Sequence, residues 1–185
     1  MRFRAVSTPL EGLTLLERLP LKDGRGFFER MYCAQELAVL GFNKPIAQIN
    51  RSLTHHKGVV RGLHFQYPPH SEIKVVSCLK GQVFDVAVDL RRNSPTFLHW
   101  HGEFLSESNE RSLLIPEGFA HGFQAMSDNC EITYFVSAPY QAAAEGGVNT
   151  VDPIIGIIWP LPSSGMSEKD AMRPYLDRSF VGLDL

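Results

Sequence analysis

The stretch Gln82-Val-Phe-Asp-Val-Ala-Val-Asp-Leu90 decides the fold class, because its apolar and acidic residues alternate. On an extended chain Asp85 and Asp89 fall on one face, while Phe84 and the valines that alternate with the acids fall on the other. This period of two predicts a β-strand that buries one face. A Lys-Gly turn signal just before it predicts a hairpin with a preceding strand at 74–79.

Short strands separated by turn residues continue on both sides of this hairpin. The further predicted strands cover residues 58–65, 96–105, 111–115, 121–126 and 131–138. Gly, Pro, Asn and Ser cluster between them at regular intervals, which is typical of antiparallel β architectures. Helix signals are weak, with one short helix predicted at 34–40 and another beginning at Ser167. The pattern predicts an all-β sandwich or barrel-like jelly roll with short peripheral helices.

The composition is that of an ordinary globular chain. The 185 residues are 44% hydrophobic and 21% charged, so we expect a single domain over residues 1–185. With 18 Lys and Arg against 20 Asp and Glu, we expect no nucleic-acid partner and no membrane partner. The three cysteines form no CxxC pair and the N-terminus lacks the apolar core of a signal peptide. A cytoplasmic location is therefore expected.

Two segments carry polar residues inside strands that otherwise look like core. They are Val60-Arg-Gly-Leu-His-Phe-Gln66, leading on to Lys74, and Ile115-Pro-Glu-Gly-Phe-Ala-His-Gly-Phe123. Strict alternation puts His64 and Gln66 on one face and Arg61 and Leu63 on the other. A lone strand His is more often a hydrogen-bonded core residue, but burying Arg, His, Gln and Lys together would be costly without a ligand. We therefore expect these residues to line a binding site.

The same two segments resemble the two motifs of the cupin jelly roll. Pro116, Gly118 and His121 match the second motif, whereas the first is altered. Metal-binding cupins have His-x-His where this chain has His64-Phe-Gln66, and Lys74 stands where a carboxylate would be needed. A charged ammonium has no lone pair for a metal. The resemblance implies a cupin-type double-stranded β-helix with no metal and no other cofactor.

Longer strings run in order along nearly the whole chain. They include Asp23-x-Arg-Gly-Phe-Phe28, Gln48-x-Asn50-x-Ser52, Arg61-Gly-Leu-His-Phe-Gln66, Ile115-Pro-Glu-Gly-Phe-Ala-His-Gly-Phe123 and Ser167-Glu-Lys-Asp170. Together they resemble the dTDP-4-dehydrorhamnose 3,5-epimerase family. The resemblance implies a metal-free epimerase of a nucleotide-linked 4-keto-6-deoxyhexose, which inverts C3, C5 or both through an enolate.

The resemblance also implies a role for individual polar residues. The family's base falls on His64, and the acid that orients it falls on Asp170. The proton donor falls on Tyr134, and the cation that stabilises the enolate falls on Lys74. Such a set suits the chemistry, because a C–H beside a ketone is acidic only if the enolate charge is offset, and inversion needs an acid on the opposite face. Substrate-binding positions fall on Arg25, Gln48, Asn50, Arg61, His121, Tyr140, Glu145 and Lys169.

Two departures from the family pattern bear on the substrate. The family's Arg-Gly-Phe-Phe-x-Glu is Arg25-Gly-Phe-Phe-Glu29-Arg30 here, so Arg30 stands at the Glu position of the nucleotide end of the site. A carboxylate accepts from the N3–H of thymine, whereas cytosine offers an acceptor there. We therefore expect Arg30 to alter nucleotide preference, toward a CDP-sugar. Thr150 and Val151 replace the family's usual Trp and Asn, which leaves the sugar and the inverted carbon open.

Three alternatives stay open on the sequence alone. A mono-epimerase would invert one carbon only, and a sugar-nucleotide binding cupin would bind its ligand without hydrogen exchange. A metal-dependent cupin would hold one iron, manganese or zinc ion per chain. The expected partners are the nucleotide-sugar substrate and a second copy of this chain, because the resemblance and the apolar N-terminal strand region predict a homodimer.

Overall fold

The computed structural model describes all 185 residues, and strands make up most of its regular structure. The two helices, α1 (Ala34–Ala38) and α2 (Glu168–Ala171), are both far too short to traverse a lipid bilayer. The strands are β1 (Phe3–Ser7), β2 (Thr14–Arg18), β3 (Leu21–Asp23), β4 (Gly26–Phe28), β5 (Gln48–Thr54), β6 (Val60–Gln66), β7 (Lys74–Lys80), β8 (Gln82–Asp89), β9 (Trp100–Ser106), β10 (Arg111–Ile115), β11 (Phe119–Ala125), β12 (Cys130–Val136) and β13 (Glu145–Gly147).

Two antiparallel sheets pack face to face. The six-stranded sheet has the order β1-β2-β10-β7-β12-β5, and the five-stranded sheet has the order β13-β6-β11-β8-β9. Strands β3 and β4 pair only with each other, as a separate hairpin. Neighbours in the sheets are mostly distant in sequence, which is the crossing pattern of a jelly roll. The fold class expected from the sequence is confirmed.

The seven strands predicted from the sequence are all present. The largest boundary difference is in β9, which begins at Trp100 because residues 95–98 form turns. The alternation pattern does not predict β5, since its cavity-side residues are polar and its apolar Ile49 and Leu53 face outward and are exposed. The short strands β1 to β4 and β13 also escape the pattern, because three to five residues carry little periodic signal.

Strand β8 is buried on both faces, so the expectation of a half-buried strand is wrong. Asp85 and Asp89 are both fully buried, on the face that looks between the two sheets. Phe84 and its alternate valines face outward, where Val148, Ile155 and other residues of the C-terminal segment cover them. Local alternation identifies the two faces, but only the path of residues 139–185 decides that neither meets solvent. That tail wraps the barrel.

A β-bulge in β6 changes the face on which Arg61 lies. His121 pairs with His64 and Phe123 pairs with Arg61, so three residue steps on β6 oppose two on β11. Gly62 permits this, because its φ is +130° and a Cβ there would lie 2.6 Å from Gly122 Cα. The bulge turns Arg61 to the same side as His64, whereas strict alternation predicts opposite sides. The prediction for Arg61 is therefore wrong in direction.

Candidate active site

A cavity of about 690 Å³ opens between the two sheets. Strands β5, β7 and β12 of one sheet and β6 and β11 of the other form its walls, and the C-terminal segment closes one side. Deeper in the barrel, buried apolar side chains from both sheets form the main core. The residues expected at the site that line this cavity are Gln48, Asn50, Arg61, His64, Lys74, His121, Tyr134, Tyr140, Glu145, Lys169 and Asp170.

His64 and Asp170 form a hydrogen-bonded pair in the wall of the cavity. His64 Nε2 lies 2.6 Å from Asp170 Oδ1, although the two residues are 106 positions apart in sequence. Burial would raise the pKa of Asp170, but hydrogen bonds from His64 and the Gly62 N–H outweigh it and lower that pKa. An ionised carboxylate only accepts, so Nε2 donates to it and Nδ1 keeps the lone pair of a base. The Ser167 hydroxyl caps α2 by accepting from the Asp170 N–H. This cap fixes the position of Asp170 at the start of the helix.

Tyr134 and Lys74 project from the opposite sheet. Tyr134 lies on β12 and Lys74 at the start of β7, while His64 lies on β6 of the facing sheet. Burial raises the pKa of the Tyr134 phenol, and the negative charge of Glu72 raises it further. The phenol therefore holds its proton at neutral pH and can act as an acid. A base on one wall and an acid on the other suit chemistry on two faces of one ligand.

Glu72 and Asp85 are site residues that the sequence analysis does not predict. Glu72 lines the cavity and pairs with Lys74, with Oε1 3.0 Å from Nζ. Their i, i+2 spacing on an extended chain is the signal that could have placed Glu72 there. Asp85 is fully buried and lies 2.8 Å from His121 Nε2, which it holds in orientation. The available signal was an acid on the inner face of β8, two residues from Ala87, which pairs with the motif histidine.

A cluster of opposite charges lies at the rim of the cavity around Glu145. Its carboxylate accepts from the Tyr140 hydroxyl at 2.5 Å and from Lys169 Nζ at 2.7 Å, and Arg173 donates to its other oxygen. Burial would raise the pKa of Glu145, but these bonds and the Arg173 charge lower it to about 2. Glu145 is thus an anion that holds two cations at the rim. Arg173 is not predicted by the sequence analysis.

Arg25 and Arg30 lie outside this cavity. Arg25 is at the turn of the β3–β4 hairpin, where its side chain is 92% exposed and pairs with Asp23. Arg30 pairs with Glu36 at 3.0 Å, and the preceding acid, Glu29, pairs with buried Arg18 on β2. The roles expected for Arg25 and Arg30 therefore find no support within a single chain.

Gln66 has a structural role on the cavity wall. Its amide nitrogen donates to the carbonyls of His70 and Pro139, and its oxygen accepts from the N–H of Gln141. Both ends of the amide are therefore engaged with backbone. No group of three or more His, Cys, Asp and Glu side chains converges closely enough to hold a metal ion. The absence of a metal stays a prediction.

The family profile described as dTDP-4-dehydrorhamnose 3,5-epimerase matches residues 7–178. The chain belongs to this family. A dTDP-4-dehydrorhamnose 3,5-epimerase of Salmonella typhimurium is 42% identical over 180 residues, covering 95% of this chain and 97% of the relative. This epimerase is thus an isomerase that acts on a carbohydrate.

Two further relatives of this epimerase bear on the site. The structure of a Legionella pneumophila 3,5-epimerase in complex with dTDP-4-keto-L-rhamnose is 36% identical, with a TM-score of 0.91 and 99% of each chain covered. A dTDP-4-dehydrorhamnose 3-epimerase of Streptomyces niveus is 38% identical over 171 residues, covering 92% of this chain and 81% of the relative. Relatives of similar sequence identity thus include one named a 3,5-epimerase and one named a 3-epimerase.

Proposed function

We propose that this epimerase inverts a nucleotide-linked 4-keto-6-deoxyhexose with His64 as base and Tyr134 as acid. The observation that carries the proposal is their placement on facing sheets across one cavity. Inversion requires removal of a proton from one face of a carbon and its return to the other. A base and an acid on the same wall would return the proton to the face it left.

The reaction proceeds through an enolate. His64 takes the proton from the carbon beside the C4 ketone, and the C–H electron pair moves toward the ketone oxygen. The Lys74 ammonium offsets the charge on that oxygen, and Asp170 stabilises the imidazolium formed at His64. Tyr134 then delivers a proton to the opposite face of the same carbon and recovers one from solvent, while the His64 imidazolium releases its proton to solvent. C3 and C5 both flank C4, so one site serves either carbon or both.

The remaining cavity residues suit a sugar diphosphate. Arg61 and Lys169 carry positive charge into a cavity of an otherwise slightly acidic protein, and His121 adds a donor oriented by Asp85. On β5, Gln48 and Asn50 present amides that can bond sugar hydroxyls or a base. Tyr140, half exposed at the rim, offers an aromatic face.

Proton NMR in deuterated buffer tests this function. Purified protein is mixed in parallel with dTDP- and CDP-4-keto-6-deoxyglucose, and loss of the C3 and C5 proton signals is followed. We expect exchange at one or both carbons, with an inverted product. Binding without exchange for both nucleotides would favour the binding-cupin alternative, and exchange at a single carbon would identify a mono-epimerase.

Arg30 is proposed to set nucleotide preference toward the CDP-sugar. It stands where the family has a glutamate. The neighbouring acid, Glu29, is held in an ion pair with Arg18. We expect faster turnover of the CDP-sugar, and Arg30→Glu should shift the preference toward the dTDP-sugar. Equal or faster turnover of the dTDP-sugar by the unmodified protein would contradict this.

We infer that the protein is a homodimer in which the β3–β4 hairpin meets a second copy. The hairpin exposes Leu21, Phe27 and Phe28, and the outer side of β5 exposes Ile49. An isolated two-stranded hairpin is marginally stable and an exposed apolar patch marks an interface. Arg25 at the turn lies outside its own cavity. In a dimer it would reach the cavity of the partner.

Complementation between two inactive variants tests this arrangement. Arg25→Ala and Asp170→Asn chains are prepared separately, then mixed under conditions that exchange subunits. If Arg25 acts in the partner's site, each mixed dimer has one intact site, and activity should recover to about a quarter of the unmodified level. No recovery, with light scattering showing mixed dimers, would place Arg25 in its own site. A monomer by light scattering would contradict the dimer itself.

A cytoplasmic location is proposed together with this function. Cys33, Cys78 and Cys130 are free thiols in the structure. Disulfides are rare where glutathione keeps thiols reduced, so unpaired cysteines accord with that compartment. Detection of the protein in the cytoplasmic fraction of its host would support the proposal, and export would contradict it.

A further inference from the structure

The ion pair between Glu72 and Lys74 is nearly enclosed by protein. The Lys74 and Glu72 side chains are 9% and 13% exposed, and their charged atoms lie 3.0 Å apart. No other ion pair involves either side chain. A buried ammonium with a single counter-charge depends on that partner, because removing one member of such a pair leaves the other charge uncompensated.

The backbone around Ile73 directs the side chains of its two neighbours, Glu72 and Lys74, into the cavity. Ile73 N donates to Ser137 Oγ at 2.8 Å, and Ser137 N donates back to the Ile73 carbonyl at 3.1 Å. The Ile73 side chain is buried on the outer side of the six-stranded sheet. In extended backbone its two neighbours therefore point the other way, into the cavity. Their orientation is built into the fold.

We propose that Glu72 is a positioning residue that holds the Lys74 ammonium in place at the cavity wall and keeps the Tyr134 phenol protonated. This inference rests on the roles proposed above for Lys74 and Tyr134. Both groups act in their protonated forms, one as a cation at the enolate oxygen and the other as a proton donor. A carboxylate that pairs with Lys74 and lines the same cavity as Tyr134 favours those forms.

The electrostatics of the cavity support this role. After burial, the charge of Glu72 is the largest influence that raises the pKa of Tyr134, and Arg61 opposes it. Glu72 is thus the anion that most affects the phenol. Asp170 is instead hydrogen-bonded to His64, and Glu145 pairs with Lys169 at the rim. The charged or titratable groups that line the cavity are Arg61, His64, Glu72, Lys74, His121, Tyr134, Tyr140, Glu145, Lys169 and Asp170.

The test is the pH profile of kcat/KM for Glu72→Gln, which removes the charge and keeps the shape. Loss of the anion lowers the pKa of Tyr134, so the alkaline limb should move to lower pH by about one unit. A merely structural role would lower the rate at every pH and leave the limb in place. Glu72→Asp keeps the charge and should keep the limb near its original position.

Glu117→Gln is the matched control. Glu117, in the turn between β10 and β11, pairs with Lys44 at 2.7 Å and does not line the cavity. Its pH profile should coincide with that of the unmodified protein. An equal shift in both Gln variants, or no shift in folded Glu72→Gln, would overturn the proposal.

A second measurement needs no substrate and no folded Glu72 variant. Tyrosinate absorbance is followed against pH in the unmodified protein and in Tyr134→Phe, and the difference gives the ionisation of Tyr134. It should lie above the pH expected for free tyrosine, about 10, because burial and the Glu72 charge both raise the pKa. Ionisation at or below that pH would overturn the role of Glu72, even if both variants at position 72 fail to fold. Because this titration is independent of turnover, a failure of the proposed reaction remains distinguishable from a failure of this inference.

Discussion

Asp170→Asn removes the negative charge that faces His64 while leaving the shape of the side chain almost unchanged. The carboxylate lies 2.6 Å from His64 Nε2 and also accepts from the Gly62 N–H. An amide in its place can turn its NH₂ toward the imidazole, and then Nε2 must accept. The proton moves to Nδ1, and the ring loses the lone pair that faces the substrate.

The size of the loss follows from the bond that is removed. A hydrogen bond to a charged group contributes about 1.5–3 kcal/mol, and this bond strengthens as His64 becomes an imidazolium. Lost from the transition state, that energy lowers kcat by roughly 10- to 150-fold. The His64 side chain is 39% exposed, so solvent screening argues against a larger loss. The KM should change little, because the bond does not touch substrate.

The assay measures the initial rate of deuterium incorporation at C3 and C5 under saturating substrate. Asp177→Asn is the matched control, since Asp177 is an exposed acid of the C-terminal segment that bonds Ser179 outside the cavity. Its rate should equal that of the unmodified protein. If folded Asp170→Asn keeps more than about half of the original rate, the pairing of His64 with Asp170 is not catalytic and the reasoning is refuted.

Three further predictions concern the acid, the bulge and the rim. Tyr134→Phe should still exchange C–H hydrogens with solvent, because His64 remains, but should yield little inverted product by NMR; full inversion would assign the acid elsewhere. Gly62→Ala should lower the free energy of unfolding in urea by about 1–3 kcal/mol more than Gly26→Ala. Gly62 and Gly26 have similar φ values, +130° and +135°, but only at Gly62 would a Cβ contact backbone atoms. Equal losses of stability would show that this contact is not the cause. The pKa of Glu145, lowered from 4.5 to about 2, means that its stabilisation is complete above pH 4.5 and lost as the pH falls toward 2. The gap in Tm between the unmodified protein and Glu145→Gln should therefore close over that range, and a gap independent of pH would contradict it.

Local periodicity predicts much of this fold, because side-chain direction along a strand depends on neighbouring residues alone. The strands β6 to β12 follow from alternation and turn residues. Strand β5 does not, because its polar Gln48 and Asn50 line a cavity that exists only once the sheets have closed. Burial of both faces of β8 likewise depends on the distant C-terminal segment.

The residue types at the site are set by the sequence, and the motif strings indicate their chemistry. Eleven of the thirteen expected residues line one cavity. Their spatial arrangement depends on the tertiary structure. The bulge at Gly62 turns Arg61 inward against the rule of alternation, and the pairing of His64 with Asp170 spans 106 positions.

The sequence by itself determined which side chains are available and on which local face most of them lie. Only the tertiary structure decided which distant charges meet: Asp85 with His121, and Glu145 with Lys169. It also decided that Arg25 lies on an exposed hairpin outside its own cavity. The physical reason is that alternation acts over neighbouring residues, whereas a charge is paired or left free by chain segments that fold back from far away.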